Sequence, residues 1–142
     1  MIRETKKILV VDDDQLTRIE ITKCAEQQGF VVDAANNGIE ALEKLKSGSP
    51  DLVLLDLLMP GLDGLEVLRR IQNHAEFKEI PVIVVSSVDD SEKVAECLQL
   101  GAIDYISKPI DIALLAKSIE TVLIKAVKPE TIQSETIQSE TD

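Results

Sequence analysis

The chain has 142 residues, 44% of them hydrophobic, and a formal charge of -11. That length and apolar content point to one domain with a real core and exclude a disordered chain. The acidic balance argues against direct binding of nucleic acid, which needs clustered Lys and Arg to neutralise phosphates. The longest apolar runs fall far short of the roughly 18 residues of a membrane span. The N-terminal MIRETKKILVV has neither the long apolar stretch nor the small-residue cleavage site of a signal peptide, so a cytoplasmic protein is expected.

Apolar runs alternate with helical patterns along the chain. Ile8–Val11 comes first, followed by a helix from about Asp14 to Gln28 that Gly29 stops. Val31-Val32 with Ala34-Ala35 makes a weaker second strand, and the second helix runs from about Asn37 to Lys46. Leu52–Leu55 is a short continuous apolar run, the pattern of a strand buried on both faces. Met59-Pro60-Gly61 then turns the chain, and a helix follows from Leu65 to about Asn73. Pro81–Val85 is the fourth strand, and the fourth helix spans about Ser91 to Leu100 with Gly101 ending it. Ala102–Ile106 is the fifth strand, and the last helix runs from about Asp111 to Val127.

Strands alternating with helices of this length mean βαβ units and a parallel sheet. Right-handed crossovers then give a doubly wound α/β fold with helices on both faces. The folded domain is placed at residues 1–127. From 128 to 142 the repeat ETIQSETIQSETD is polar and acidic, and is read as a disordered tail or a linker.

Open sheets of this kind bind ligands where their strands end. There the sequence puts Asp12, Asp13 and Asp14 after strand one and Asp56 after strand three. Ser86 and Ser87 follow strand four, and Ser107-Lys108-Pro109 follows strand five. Taken singly each has an ordinary explanation: Asp14 as an N-cap, Ser86 as a strand-end hydroxyl, Lys108 as a loop charge. Together, carboxylates at one edge repel one another, and a divalent cation removes the conflict. Oxygen-only donors with room for water suit Mg2+ better than zinc or iron. A metal beside one carboxylate, a hydroxyl and a Lys also outlines a phosphoryl-transfer site, with Asp56 as nucleophile.

ILVVDD, DLVLLDLLMPGLDG, PVIVVSS and GAIDYISKP, in this order and spacing, resemble the receiver domain of two-component response regulators over about residues 6–126. The resemblance implies a flavodoxin-like sheet in the order 2-1-3-4-5. It implies that Asp56 is phosphorylated, and that Mg2+ is held by Asp13 directly, by Asp12 largely through water, by Asp56 and by the main-chain carbonyl of Leu58. Lys108 would contact the phosphoryl group, with a cis bond to Pro109. Ser86 and Tyr105 would be coupled switch positions, Tyr105 swinging inward as Ser86 moves and altering the face made by helix four, strand five and helix five. The implied partners are a sensor histidine kinase or a histidine phosphotransfer protein upstream and a protein effector downstream. The chain would be a switch that catalyses only its own phosphorylation and dephosphorylation, not an enzyme acting on others. A phosphorelay intermediate and the receiver part of a longer regulator are the alternatives within this chemistry. A haloacid-dehalogenase-type phosphatase is the rival outside it, disfavoured because Leu58 stands where such enzymes need a second Asp and because a cap domain is lacking.

Several residues depart from the receiver pattern or lie outside it. The two positions that tune acyl-phosphate lifetime in the family, two residues after Asp56 and two after Ser86, are Leu58 and Val88, so slow self-dephosphorylation is expected. Ile103 stands where the family often has Asp, near the output face or in the core. Leu114, Leu123 and Ile124 fall off the last helix's expected core stripe of Ile112, Leu115, Ile119, Val122 and Ala126. On helix one the expected inner stripe, Thr17, Ile21, Cys24 and Gln28, is poorly apolar, which makes Leu16 and Ile19 candidates for an exposed patch where a phosphodonor could dock. Cys24 and Cys97 are read as buried free thiols, and His74 as a solvated loop residue.

Overall fold

A computed structural model describes residues 5–124. The tail expected from residue 128, and Ala126 on the last helix, lie outside the described residues. The elements are β1 (Lys7–Val11), α1 (Gln15–Gln27), β2 (Val31–Ala35), α2 (Gly38–Gly48), β3 (Leu52–Leu55), α3 (Gly64–Gln72), β4 (Val82–Ser86), α4 (Ser91–Gln99), β5 (Asp104–Ser107) and α5 (Ile112–Leu123). The five strands form one parallel sheet in the order β2-β1-β3-β4-β5. This is the doubly wound, flavodoxin-like arrangement that the sequence and its resemblance led us to expect.

The apolar runs are continuous because both faces of the sheet are covered. Alternate residues enter different cores. Leu9, Val11, Val53, Leu55, Val82 and Val84 pack with α2, α3 and Cys97 of α4. Ile8, Val10, Leu52, Leu54, Ile83 and Val85 pack with α1 and α5. Every helix opens on an Asp or Asn whose side chain accepts a main-chain N–H: Asp14 from Thr17, Asn37 from Glu40, Asp63 from Glu66, Asp90 from Glu92 and Asp111 from Leu114. Such caps satisfy main-chain N–H groups that the first helical turn leaves unpaired, so part of the acidic composition serves helix starts.

The weakly apolar stripe of α1 is resolved by its neighbour α5. Ile21, Cys24 and Ala25 are buried, and the Gln28 amide donates to the Ala116 carbonyl at 2.9 Å. Leu16 and Ile19 are exposed, as their position off that stripe implies. On α5 the structure corrects the expected stripe. Leu115, Ser118, Ile119 and Leu123 are buried, Val122 is half-buried, and Ile112 stands partly in solvent. Leu123 lies one helical turn from Ile119 and shares its face, whereas Ile112 sits in the first turn. Ile103 is 49% exposed, which settles it as a surface residue. His74 is half-buried rather than fully solvated: its ring stacks on buried Phe77 with centroids 3.9 Å apart, and its Nδ1 accepts from the Glu76 N–H. Both cysteines are buried and free. Among the described residues no helix is long and apolar enough to cross a membrane.

Candidate functional site

The site is built one residue past the ends of paired strands. Val11 and Leu55 are register partners, so the next residues on β1 and β3, Asp12 and Asp56, emerge side by side. The ladders run on past the strands: the Asp56 N–H donates to the Val11 carbonyl at 2.9 Å, and the Asp12 N–H to the Ala35 carbonyl at 3.1 Å. Asp12 and Asp56 are buried, at 1% and 4% exposure, while Asp13 is exposed. Carboxylate oxygens of Asp12, Asp13 and Asp56 lie within 4.8 Å of one another.

Lys108 reaches this group from the strand at the sheet edge. Its N–H donates to the Ser86 carbonyl, prolonging the β4–β5 ladder, and its bond to Pro109 is cis. Its Nζ lies 2.8 Å from Asp12 Oδ2 and 3.2 Å from Asp56 Oδ2. Burial alone would lower the Lys108 pKa, but the hydrogen bond to Asp12 and the nearby charges of Asp56 and Asp12 hold it above the ordinary lysine value. For Asp12 burial wins: its carboxyl is raised despite the bonds from Lys108 and the Asp14 N–H.

The other oxygens of the acidic turn are also engaged. Asp12 Oδ1 accepts from the Asp14 N–H at 2.9 Å, and Asp12 O accepts from Arg18 Nη1 at 2.7 Å. Asp56 Oδ1 accepts from the Leu58 N–H at 3.3 Å. Ser86 is fully buried, and its Oγ accepts from the Val88 N–H at 3.3 Å. Tyr105 is half-buried with its hydroxyl donating to the Val88 carbonyl, so it already points inward. Ser86 and Tyr105 therefore meet on the two main-chain groups of one residue, Val88.

Asp12, Asp13, Asp56 and Lys108 come together as the sequence implied. Leu58 lies on the loop beside Asp56 and is 56% exposed, and Ser86 and Tyr105 form a second station joined through Val88. Ser87 is exposed. The sequence points to no role for Arg18, and gives Gly64 none beyond leading into the third helix. Arg18 contacts main chain, which no motif reveals, and Gly64 reads merely as a turn residue. The cluster's oxygen donors, close spacing and partial exposure fit a hard divalent cation with waters completing its shell.

Residues 8–120 match the family profile described as response regulator receiver domain. The transcriptional regulatory protein CseB of Streptomyces avermitilis is 39% identical over 120 residues, covering 84% of this chain and 50% of CseB. Response regulator MprA of Mycobacterium avium is 38% identical over 125 residues, 87% of this chain and 53% of MprA. The chain thus spans about half the length of the curated relatives it matches. Among solved structures, chemotaxis protein CheY4 of Vibrio cholerae aligns with a TM-score of 0.79 at 28% identity, over 84% of this chain and 100% of that one. The phosphorylated cyanobacterial phytochrome response regulator RcpA aligns with a TM-score of 0.77 at 28% identity, over 86% and 96%.

Fold and likeness together define a two-component signalling protein. Within that class, the chain belongs to the response regulator receiver domain family.

Proposed function

We propose that Asp56 accepts a phosphoryl group from a phosphohistidine, borne by a sensor histidine kinase or a histidine phosphotransfer protein, and that the phosphorylated chain controls a protein partner. One observation carries this reading: the Asp56 carboxylate is buried at a strand end with Lys108 Nζ at 3.2 Å and two further carboxylates beside it. An Asp56 carboxylate oxygen attacks phosphorus, the P–N bond breaks, and the imidazole nitrogen leaves with the electron pair and takes a proton from solvent. Asp12, Asp13, Asp56 and the carbonyl of Leu58 would hold Mg2+. When bound, that cation neutralises charge on the transferred oxygens. Lys108 supplies a second positive charge to the same oxygens, and Ser86 turns its hydroxyl toward one of them. Because Val88 links Ser86 to Tyr105, that turn alters the Tyr105 hydrogen bond and so biases α4, β5 and α5. Leu16, at 76% exposure, and Ile19 offer the donor an apolar docking surface.

In this reading residues 1–127 are the receiver and 128–142 a tail or linker. The chain works in the cytoplasm, binds no nucleic acid itself, and acts on no substrate but its own aspartyl phosphate. Relatives about twice as long, two of them transcriptional regulatory proteins by name, favour a receiver part of a longer regulator as the second reading. A phosphorelay intermediate would use the same chemistry.

Intact mass after incubation with Mg2+ and acetyl phosphate tests the first step. Wild type should gain one phosphoryl group and Asp56→Asn none; equal gain in both would move the acceptor elsewhere. The acyl phosphate should also be long-lived, because Leu58 and Val88 offer no side-chain polar atom to orient water. Leu58→Asn or Val88→Glu should shorten its lifetime by roughly tenfold, below what a positioned general base contributes. Unchanged decay in both variants would place the control of lifetime at other residues.

A further inference from the structure

We propose that Arg18 is a positioning residue for the cation site, setting the peptide plane that joins Asp12 to Asp13. The inference rests on the reading of that cluster as a Mg2+ site. Arg18 lies in the first turn of α1 and is half-buried, and its Nη1 donates to the Asp12 carbonyl oxygen at 2.7 Å. That carbonyl belongs to the peptide unit whose nitrogen is that of Asp13. Fixing its direction therefore fixes how the chain leaves Asp12 and where the Asp13 side chain sets out.

The turn is held on its other side as well. Asp14 carboxylate oxygen Oδ2 accepts from the Thr17 N–H at 3.0 Å and from the Thr17 hydroxyl at 2.5 Å, and the Asp14 N–H is bound to Asp12 Oδ1. Asp13 thus sits between two anchors, both tied to the start of α1. Of the three acids only Asp13 is exposed. Asp12 and Asp56 are fixed by strand ladders and by Lys108, so Asp13 depends most on the turn. A charge-assisted bond from a half-buried guanidinium is strong enough to hold such a plane. Partners outside the ligand set commonly govern metal affinity in this way.

Charge and position make opposite demands on Arg18, which makes the inference testable. Removing a cation beside an acidic cluster would, by Coulomb's law alone, tighten cation binding. Losing the anchor would weaken it. Mg2+ is titrated into the full chain labelled with 15N, following the main-chain resonances of Asp13 and Leu57, in wild type, Arg18→Met and Arg18→Lys. The Mg2+ dissociation constant should rise about tenfold in Arg18→Met and by less in Arg18→Lys. The Asp13 resonance of the metal-free protein should move in Arg18→Met, a readout independent of metal. If Arg18→Met melts far below wild type, Arg18→Lys carries the test. Equal or tighter Mg2+ binding in the variants overturns the proposal. An unmoved Asp13 resonance does so too. Failure of wild type to bind Mg2+ overturns the cation-site reading, and this inference with it.

Discussion

Gly64→Ala is expected to disrupt the junction between β3 and α3 outright. A Cβ at this position would overlap the Asp56 carbonyl oxygen and lie 2.7 Å from Leu57 Cα and 2.8 Å from the Asp56 carbonyl carbon. All three are main-chain atoms, so no side chain can rotate aside. The Gly64 N–H also donates to the Leu57 carbonyl at 3.0 Å, which binds the start of α3 against the loop that follows β3 and carries Asp56. Either the helix withdraws or the loop carrying Asp56 shifts. The loss should be about 3 kcal/mol or more, above the usual cost of overpacking. Urea denaturation of Gly64→Ala beside Gly61→Ala checks the cause. Gly61 has φ +79° but open space around it, so its substitution bears only the smaller strain of a left-handed Ala, about 1 kcal/mol. Equal effects at the two glycines would show that crowding at Gly64 is relieved.

Lys108→Met should have the second large effect, and its size should depend on pH. In the metal-free protein Lys108 is the cation between two buried carboxylates, and removing one partner of a buried cluster costs about 2–4 kcal/mol, toward the lower part of the usual range because Asp13 leaves the site open to water. The folded-state pKa of Asp12 is already raised by burial, so its ionised form opposes folding. Protonation therefore adds stability as pH falls from that raised value toward the unfolded value near 3.8. Without Lys108 the bond and charge that restrain this rise are gone, so the gain on acidification should begin at higher pH and be larger. In wild type Lys108 itself contributes stability below about pH 10.5, its ordinary value, which is lost as pH rises through its raised folded value. Thermal melts in EDTA from pH 4 to 8 should show the Lys108→Met deficit shrinking toward acid. A deficit constant with pH would mean that the lysine stem matters only as packing. Acetyl phosphate should leave the variant largely unmodified.

The strands were legible because burial on both faces leaves a plain signature, unbroken runs such as Leu52–Leu55 and Val82–Val85. The site was legible for a related reason. Parallel strands all end at one edge, so residues following the runs must meet, and Asp12, Asp56 and Lys108 do. The helices were less transparent. Leu123 and Ile112 exchange their expected roles because Leu123 lies a turn beyond Ile119 on the buried face while Ile112 stands at the exposed start of α5. Gln28 looked wrong for an inner stripe until α5 supplied the Ala116 carbonyl as its partner. Arg18 is hidden for a deeper reason: its partner is a main-chain oxygen, and every residue has one. His74 read as solvated because nothing in NHAEFKE announces that Phe77 turns inward beneath it.

The pairing of Val11 with Leu55 has a wider consequence. The gap between neighbouring strands is a fixed repeat of the sheet, about 4.8 Å, and the acids of β1 and β3 inherit their spacing from it. The Asp12–Asp56 pair is therefore gauged by the backbone lattice, while Asp13 answers to the turn that carries it. That pair cannot separate without parting two central strands, so its spacing is as durable as the domain itself. The helix surfaces are under no such constraint. Leu16, Ile103 or Leu114 can be exchanged for other residues while the acids keep their places. A fold of this kind separates the part that must stay constant from the part that can be rewired, and one chemical centre can serve many different correspondents.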